Sequence, residues 1–334
     1  MHCSKTEPSP LALALIAVCW ILAGATILPG PSLAQGASSA CPTDPLAPAH
    51  TPQVFLDTRP GPGGVAAAYG GLQYHRPTGL GPREIALTFD DGPDPNVTPV
   101  VLRALRQHCL KATFFMVGWY AKAHPDLVRA VAADGHVIGS HTWLHPNNLR
   151  RLSAAAAEGQ ISEGMQAVQQ ALAGASPAEQ AQLAPFFRFP GLNDSPTLTA
   201  WLGARQVAVI SGDMGTDDWR GIGPMSIEWR TLRYVAHADG GIIVMHDTRP
   251  ATAASLSQLI TLLEMRGYRF VQIVPAPGAR ERAATVQAAL ARPAPTLASA
   301  AGAADRLDAW LQACLQQVES GADALLAEVK SLQN

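Results

Sequence analysis

The amino-acid sequence predicts an α/β fold built on parallel strands, formed as a barrel or as an open sheet. Three observations predict it: apolar runs of strand length recur from Arg83 onwards, segments of helical periodicity separate them, and polar residues follow the ends of several runs. Apolar strands that alternate with helices are typical of parallel βα units. The carboxyl ends of such strands share one face, where ligands and catalytic groups gather.

Seven apolar runs are predicted as strands, at residues 85–89, 112–117, 137–139, 186–189, 207–210, 242–245 and 268–274. Helices are predicted between them at 99–107, 125–134, 161–172, 196–204, 226–236 and 252–266. The first helix has Thr98 as its expected N-cap, because a threonine followed by Pro99 at the first helical position is a typical helix start.

Four regions are predicted along the 334 residues: a signal peptide or N-terminal anchor at 1–34, a Pro/Gly-rich arm at 35–82, the α/β domain at 83–275, and an Ala-rich linker with an amphipathic helix at 276–334. In the first region, Lys5 precedes an apolar run at 11–28, and small residues follow at Ser32 and Ala34. This pattern is typical of a secretory signal cleaved near Ala34. The run is long enough to span a bilayer, so an uncleaved anchor is the alternative. We expect an exported protein, periplasmic or extracellular.

The C-terminal region ends in a predicted amphipathic helix whose apolar residues recur at helical spacing: Leu307, Trp310, Leu311, Cys314 and Leu315. Such a helix packs its apolar face on the domain or on a partner, and self-association through it is one option. An assembly protein, in which this helix is the functional part, is therefore one alternative reading of the chain.

The balance of charges in the chain bears on its possible partners. The 24 basic and 26 acidic residues give a net charge of −2, which gives no support to nucleic-acid binding, and we expect no organic cofactor.

Cleavage near Ala34 leaves Cys41, Cys109 and Cys314, an odd number that prevents complete internal pairing. Cys109 is predicted to be a small buried hydrophobe. Cys41 and Cys314 could form a bridge between the two ends of the chain.

Charged and imidazole side chains lie at or just after the carboxyl ends of five of the predicted strands. The residues concerned are Asp90 and Asp91, His141 with His145 four residues on, Arg188, Asp213, and His246 with Asp247. Taken singly, each has a structural explanation as a turn, a surface residue or a core histidine. Five strands that deliver such groups to one face predict a site.

The residue types predict metal chemistry at this face. One carboxylate and two neutral imidazoles make a three-ligand site that leaves a position for water on a divalent metal such as zinc. Neighbouring side chains on extended backbone point opposite ways, so Asp90 and Asp91 are expected to take different partners, one the metal and the other a water. Arg188 would keep the second carboxylate ionised. His246 would deliver a proton to a departing amine.

Five segments of the chain, in order, resemble the motifs of the polysaccharide deacetylases, the NodB-homology proteins of carbohydrate esterase family 4: "TFDDGP", "HTWLH", "RFPG", "DDW" and "IIVMHD". The resemblance covers roughly residues 83–275. It implies a distorted (β/α)7-type barrel, here with an extended N-terminal arm and a C-terminal helical tail. It also implies metal-dependent removal of acetyl groups from sugar amides.

The resemblance assigns a role to each matching residue. The implied metal ligands are Asp91, His141 and His145, and the implied catalytic base is Asp90. Arg188 matches the residue that tethers the base, and His246 matches the general acid. Val244 matches an apolar position beside it in the acetyl pocket.

Two departures from the family pattern affect the substrate pocket. After Pro190 the family usually has an aromatic residue, whereas this chain has Gly191, whose backbone N–H can still help to hold an oxyanion. The fourth motif, "DMGTDDW", has two extra residues. Asp218 and Trp219 are predicted to orient His246 and to wall the groove, with Asp213 as the alternative carboxylate; Asp217 has no assigned role.

The sequence therefore predicts a metal-dependent hydrolase that removes N-acetyl groups from N-acetylglucosamine-containing glycans and releases acetate. Peptidoglycan, chitooligosaccharide and exopolysaccharide all carry such groups, and the absence of an evident carbohydrate module slightly favours a cell-envelope glycan. The expected metal is Zn²⁺, with Co²⁺ or another first-row metal as alternatives. Two further alternatives are an O-acetyl esterase acting on xylan-like polymers and a non-catalytic glycan-binding protein.

Overall fold

The structure is a computed structural model that describes residues 51–74 and 77–291. The predicted signal segment at 1–34 and the predicted helix around Leu307–Leu315 lie outside the described residues, so self-association through that helix stays a prediction. Within the two described ranges, no helix combines the length and the apolar character needed to cross a membrane.

In the described ranges, ten strands belong to one sheet, and all of their pairings are parallel. They are β1 Gln53–Leu56, β2 Ala68–Tyr69, β3 Glu84–Asp90, β4 Thr113–Met116, β5 Val137–Ser140, β6 Leu183–Phe187, β7 Ala208–Ile210, β8 Met214–Gly215, β9 Gly241–His246 and β10 Arg269–Pro275. The parallel α/β fold predicted from the sequence is confirmed. All seven predicted runs are strands, with ends shifted by a few residues.

The helices lie between the strands along the chain, as expected for βα units. They are α1 Thr98–Gln107, α2 Gly118–Ala123, α3 Pro125–Ala133, α4 Ala154–Ala171, α5 Pro177–Gln180, α6 Pro196–Gly203, α7 Pro224–Ala238, α8 Pro250–Met265 and α9 Ala279–Ala291. Thr98 begins α1, but it is not the N-cap acceptor that the sequence predicted. Its hydroxyl instead donates to Asp247 Oδ2 at 2.6 Å, which ties α1 to the end of β9.

The strand β3 lies in the interior of the sheet, and the alternation of its side chains determines which of them face the site. Its odd-numbered residues, Ile85, Leu87 and Phe89, belong to an apolar cluster formed with the helices, whereas Ala86 belongs to a separate inner cluster. Successive side chains on a strand point to opposite faces. Thr88 and Asp90 therefore share the inner side with Ala86. In the β3–β9 ladder, Asp90 pairs with His246, so the two carboxyl ends lie side by side.

Residues 51–74, which the sequence predicted as part of an arm or linker at 35–82, contribute two strands to the sheet. β1 pairs with β10, and β2 pairs with β7. Short apolar pieces between prolines and glycines were sufficient to form these edge strands, because their backbone groups complete existing ladders. Similarly, α9 lies where an Ala-rich linker was predicted, and Arg280 Nε at its start donates to the Leu183 carbonyl at 2.8 Å.

Cys109 is half-buried and disulfide-bonded, so the prediction that it is a free buried thiol is wrong. No other cysteine falls within residues 51–291, and its partner is therefore a cysteine outside the described residues. The predicted bridge between Cys41 and Cys314 also lies outside the described residues. Helical position alone could not distinguish a packed thiol from a bridged one.

Candidate active site

The site lies at the carboxyl ends of four strands that are adjacent or nearly adjacent in the sheet. Asp90 ends β3 and His246 ends β9, while His141 follows β5 directly and Arg188 follows β6 directly. Parallel strands direct these ends to one face, and the structure brings all four side chains together there.

Asp91 and the two histidines form a cluster suited to a metal ion. Asp91 Oδ1 lies 3.3 Å from His145 Nε2 and 3.6 Å from His141 Nε2. One ligand atom from each residue lies within 4.8 Å of the others. Asp91 Oδ1 is buried and has no hydrogen-bond donor among the described residues. A buried carboxylate oxygen without a donor is costly unless a cation satisfies it, so these residues fit a divalent metal.

The backbone turns sharply between the two aspartates. Asp91 has φ of 76°, in the left-handed region, so the alternation expected for an extended chain does not continue past Asp90. As a result both carboxylates face His141 Nε2, with Asp90 Oδ2 at 3.9 Å. The prediction that the two side chains point opposite ways is wrong for this reason, although their partners do differ.

His141 is held in the tautomer that a metal ligand needs. Its Nδ1 lies 2.7 Å from the carbonyl oxygen of Arg188. Since a carbonyl can only accept, Nδ1 carries the proton, and Nε2 keeps its lone pair towards Asp91. Complete burial lowers the pKa of His141 to about 4, which more than offsets the opposing effect of Asp90 and Asp91. The imidazole is therefore neutral near pH 7.

Asp90 is buried against the guanidinium of Arg188. Arg188 Nη1 donates to Asp90 Oδ1 at 2.6 Å and to Thr88 Oγ1 at 2.8 Å. The bond uses one carboxylate oxygen and leaves Oδ2 facing the histidine cluster. The charge-assisted hydrogen bond within this buried pair fixes the orientation of the carboxylate.

Arg188 is itself completely buried, and every nitrogen of its side chain has a partner. Nε donates to the Ile210 carbonyl at 2.9 Å, and Nη2 donates to the Ser211 carbonyl at 2.8 Å. The guanidinium also stacks over the Phe115 ring, 4.1 Å from its centroid. Burial lowers the pKa of Arg188 and Asp90 opposes that shift, but an arginine remains protonated in such a setting. The apolar sequence "PFFRFPG" is thus explained by a buried ion pair.

His246, at the end of β9, is hydrogen-bonded to Asp218. His246 Nδ1 lies 2.8 Å from Asp218 Oδ1, and the His246 backbone N–H donates to Oδ2 of the same carboxylate. Thr252 Oγ1 adds a third bond to Asp218 at 2.6 Å. Burial disfavours the imidazolium, but the hydrogen bond and charge of Asp218, with smaller contributions from Asp90 and Asp91, raise the pKa of His246 to about 9.

The two other carboxylates of the extended fourth motif have different partners. Asp213 accepts bonds from the backbone N–H groups of Gly71 at 2.6 Å and Ile242 at 2.7 Å. Asp217 Oδ2 accepts from Arg230 Nη1 at 2.7 Å. Of the two candidate carboxylates named from the sequence, the structure therefore places Asp218, and not Asp213, against His246.

A cavity of about 850 Å³ opens in front of these groups, and Trp219, Val244 and Gly191 line it. Trp219 is 55% exposed, and the guanidinium of Arg220 lies 4.8 Å from its ring centroid. Gly191 has φ of 57°, and its N–H makes no hydrogen bond within the described residues. Pro190 is buried and does not line the cavity.

Sequence reasoning missed several residues that shape the site. Leu72, from the segment predicted as an arm, lines the cavity, and the Leu72 N–H donates to the Gly212 carbonyl at 2.9 Å. Thr88 and Thr252 position Arg188 and Asp218. Alternation along β3 could have identified Thr88, since it lies two residues before Asp90. No pattern in the sequence identifies Leu72.

Asp247, beside His246 in the sequence, does not belong to this cavity. Its carboxylate is buried against the hydroxyl of Thr98, and a Cβ on Gly92 would meet its Oδ2 at 2.2 Å. Burial raises the pKa of Asp247 to about 7, with Asp91 and Asp90 adding to the shift against the bond from Thr98. Asp247 therefore packs under the turn that follows Asp91.

Comparison with known proteins agrees with this geometry. The family model for polysaccharide deacetylase matches residues 78–205. A peptidoglycan-N-acetylglucosamine deacetylase of Listeria monocytogenes is 35% identical over 199 residues, covering 57% of this chain and 38% of that protein. A chitooligosaccharide deacetylase of Rhizobium leguminosarum is 34% identical over 194 residues, covering 58% of this chain and 85% of that protein.

The fold has a similar counterpart among solved structures. A peptidoglycan deacetylase of Bdellovibrio bacteriovorus superposes with a TM-score of 0.58 at 30% identity, covering 69% of this chain and 60% of that one. This chain thus spans well under half of the Listeria protein but most of the Rhizobium protein. The residues that the family model matches include the ends of β3, β5 and β6, with Asp90, His141 and Arg188.

Proposed function

This chain belongs to the polysaccharide deacetylase family, and we propose that it hydrolyses N-acetyl groups of N-acetylglucosamine-containing glycans and releases acetate. The observation that carries the proposal is the meeting, on one face, of three groups: the Arg188-bound Asp90, the Asp91–histidine cluster and His246. The chain spans only part of the length of its longer relatives, so the activity and the substrate of the whole protein are themselves proposals.

We propose that Asp91, His141 and His145 hold a divalent cation, most favourably Zn²⁺, with Co²⁺ or another first-row metal as alternatives. The unpartnered Asp91 oxygen and the free Nε2 of His141 support this role. When bound, such a cation lowers the pKa of water and polarises a carbonyl oxygen.

Asp90 is the proposed general base. Arg188 Nη1 donates to Oδ1, while Oδ2 remains directed to the histidine cluster. That oxygen can accept a proton from a water as the water attacks the acetyl carbonyl. The buried ion pair prevents Asp90 from rotating away from this position, so Arg188 acts as a positioning residue.

His246 is the proposed general acid. Asp218 holds Nδ1, so the other ring nitrogen is available to the cavity that His246 lines. A pKa of about 9 keeps the ring protonated at neutral pH. An amine leaves an amide readily only when its nitrogen gains a proton, so this feature favours amide substrates over esters.

Three residues of the cavity complete the proposed substrate contacts. The Gly191 N–H, with no acceptor among the described residues, is available to an oxyanion. Val244 supplies apolar surface for the acetyl methyl group. The absence of a side chain at Gly212 leaves room for the Val244 side chain, because a Cβ at Gly212 would meet Val244 Cγ2 at 2.3 Å. Trp219 offers an exposed ring as a wall of the groove.

The decisive experiment is acetate release from a panel of N-acetylated and O-acetylated glycans, with and without a chelator. We expect release from N-acetylated glycans that a chelator abolishes and added Zn²⁺ restores. Release from O-acetylated xylan alone would establish the esterase alternative. Binding of glycan without any acetate release would establish the non-catalytic alternative. The absence of both acetate release and glycan binding would leave the alternative in which the C-terminal helix is the functional part.

We also propose that the protein is exported and acts on a glycan of the cell envelope. The predicted signal segment and the substrates named for the Listeria and Bdellovibrio relatives support this proposal. Fractionation of cells that express the full chain, with N-terminal sequencing of the product, tests it. A start near Gln35 in the exported fraction is the expected result, and an intact N-terminus in the membrane fraction would favour the anchor.

A further inference from the structure

The four residues from Asp91 to Asp94 form a turn, which we call the ligand turn, and this turn sets the direction of the Asp91 carboxylate. Asp91 has φ of 76°, in a region that residues other than glycine rarely adopt, so contacts outside the residue must hold it there. The Gly92 carbonyl accepts the Val117 N–H at 3.0 Å. The Asp94 N–H donates to Thr98 Oγ1 at 2.8 Å. The ligand turn is thus tied at two points after Asp91.

The hydroxyl of Thr98 connects the ligand turn to Asp247. Because the Asp94 N–H uses a lone pair of Oγ1, the hydroxyl hydrogen can be donated, and Asp247 Oδ2 accepts it at 2.6 Å. Thr98 and Asp247 are both buried. In the low dielectric of a protein interior, a chain of two hydrogen bonds is stronger than it would be in water. The backbone of the ligand turn and the residue that follows β9 are therefore joined through one side chain.

Asp247 also supports the ligand turn by direct contact. A Cβ at Gly92 would meet Oδ2 of Asp247 at 2.2 Å and Oδ1 at 2.4 Å, so the carboxylate lies directly against the Gly92 backbone. Oδ1 is buried and has no hydrogen-bond donor among the described residues. A buried oxygen without a donor lowers stability, so stability alone does not account for a carboxylate at this position. Its location under the ligand turn offers a different explanation.

Thr98 and Asp247 take no direct part in the chemistry proposed above. Neither residue lines the main cavity, of about 850 Å³, in front of Asp90 and His246. Their effect on the reaction is therefore indirect, through the position of Asp91. Residues that hold a metal ligand in place without binding the metal typically change metal affinity by about tenfold to a hundredfold when they are replaced.

We propose that Thr98 and Asp247 are positioning residues for the metal ligand Asp91, and that they act by holding the ligand turn. The inference rests on the proposed function, since it needs the cation at Asp91, His141 and His145, and it adds two residues that touch neither the cation nor the glycan. Asp91 Oδ1 lies 3.3 Å from His145 Nε2 while the turn is held. When the turn is released, the carboxylate can move away from the imidazoles, and the three ligand atoms no longer meet.

The test is zinc titration of the full chain against a competing chelator, in the unaltered protein and in Thr98→Val. Valine has nearly the shape of threonine, but it can neither accept the Asp94 N–H nor donate to Asp247. We expect zinc affinity to fall by about tenfold or more, within the range that loss of an outer partner of a metal ligand costs. Thr98→Ser, which keeps the hydroxyl, should bind zinc nearly as the unaltered protein does.

Thr231→Val is the matched control, because it removes a similarly buried hydroxyl from α7. Thr231 is 1% exposed, and its hydroxyl donates to the Ile227 carbonyl of the same helix at 2.7 Å. This variant should unfold at lower urea without any change in zinc affinity. A purely structural role for Thr98 would give the same result in Thr98→Val. Unchanged zinc affinity in Thr98→Val, whatever the change in urea unfolding, therefore overturns the proposal.

Asp247→Ala tests whether the two residues act together. It removes both the acceptor of the Thr98 hydroxyl and the contact with Gly92, so we expect zinc affinity to fall at least as far as in Thr98→Val. The double variant should lose no more affinity than Asp247→Ala alone, because both residues act through one turn. Losses that multiply in the double variant would overturn this joint role. If Asp247→Ala does not fold, the Thr98 variants decide the question.

Failure of the proposed function gives a different result from failure of this inference. If neither the unaltered protein nor Thr231→Val binds zinc, the proposed metal site fails, and hydrogen exchange of the metal-free proteins still tests the ligand turn. Faster exchange of the Val117 N–H in Thr98→Val than in Thr231→Val then supports the hold of Thr98 on the turn. Equal exchange in the two variants overturns it.

Discussion

Asp90 and Asp91 are neighbours in the sequence, but their carboxylates have opposite surroundings. Asp90 is buried, and the protein supplies its countercharge through Arg188 at 2.6 Å. Asp91 is half-buried, and its Oδ1 has only imidazole nitrogens nearby and no donor among the described residues. The Asp90 carboxylate has its countercharge within the protein, whereas the Asp91 carboxylate needs a bound cation. The different partners of these two adjacent aspartates are the basis for proposing one as the base and the other as a metal ligand.

Asp91→Asn should have the largest effect, because it removes the only carboxylate of the metal cluster. We expect zinc affinity to fall by more than the roughly hundredfold that loss of an outer partner of a metal ligand can cost. Activity should be lost with the metal. Zinc titration against a competing chelator, together with zinc-dependent thermal stabilisation, measures this loss.

The matched control for that variant is Asp126→Asn, which removes a carboxylate of equal charge from an exposed surface pair with Arg129. It should bind zinc as the unaltered protein does. A zinc-dependent rise in melting temperature that survives in Asp91→Asn would contradict the assignment of Asp91 as a ligand.

Asp90→Asn should abolish turnover while leaving the metal site in place. Loss of a general base typically lowers the rate by about a hundredfold to ten-thousandfold, and the carboxamide cannot accept the proton of an attacking water. Zinc affinity should remain close to that of the unaltered protein. Acetate release and zinc titration on the same sample give both numbers, and substantial residual turnover would show that Asp90 is not the base.

Arg188→Met should destabilise the fold, because it leaves the Asp90 carboxylate buried without a countercharge. Breaking one side of a buried pair costs about 3 kcal/mol or more. The double variant Arg188→Met/Asp90→Asn should recover part of this loss, since the unpaired charge is gone. Urea unfolding of the metal-free proteins measures the cycle. Additive losses in the double variant would mean that packing of the guanidinium, and not the ion pair, stabilises this region.

The sequence predicted the placement of the strand-end residues because a residue's position at the end of a buried run determines where it lies in the sheet. Asp90, Arg188 and His246 all follow from runs that the sheet orders and orients. The α/β class followed for the same reason, since apolar periodicity reports burial directly. Parallel pairing then brought the ends together without any further information.

The surfaces around the reacting groups could not be predicted in the same way. Leu72 lines the main cavity from a short segment whose pairing depends on a long-range ladder between β2 and β7. The turn at Asp91, with φ of 76°, reversed the expected direction of one side chain. The disulfide of Cys109 depends on a distant cysteine. Each of these features is set by tertiary contacts that no local pattern encodes.

Asp218→Asn should change the pH dependence of the reaction more than its maximum rate. The Asp218 carboxylate raises the pKa of His246 to about 9, and its loss should return that pKa towards the ordinary value of about 6.5. A general acid must be protonated, so activity falls as the pH rises through its pKa. The alkaline limb of kcat/KM should therefore move to lower pH, and the deficit should be larger at pH 9 than at pH 6. A loss equal at all pH values would contradict this coupling.

Asp213→Asn should have the smallest effect, because Asp213 binds backbone and not His246. Its two oxygens accept the N–H groups of Gly71 and Ile242, and an asparagine can replace only one of those acceptors. One unsatisfied N–H costs about 1–3 kcal/mol, so unfolding should occur at lower urea. The alkaline limb of kcat/KM should stay where it is in the unaltered protein. If that limb moved as far as in Asp218→Asn, Asp213 would share in setting the His246 pKa, and the division of roles within "DMGTDDW" would have to be redrawn.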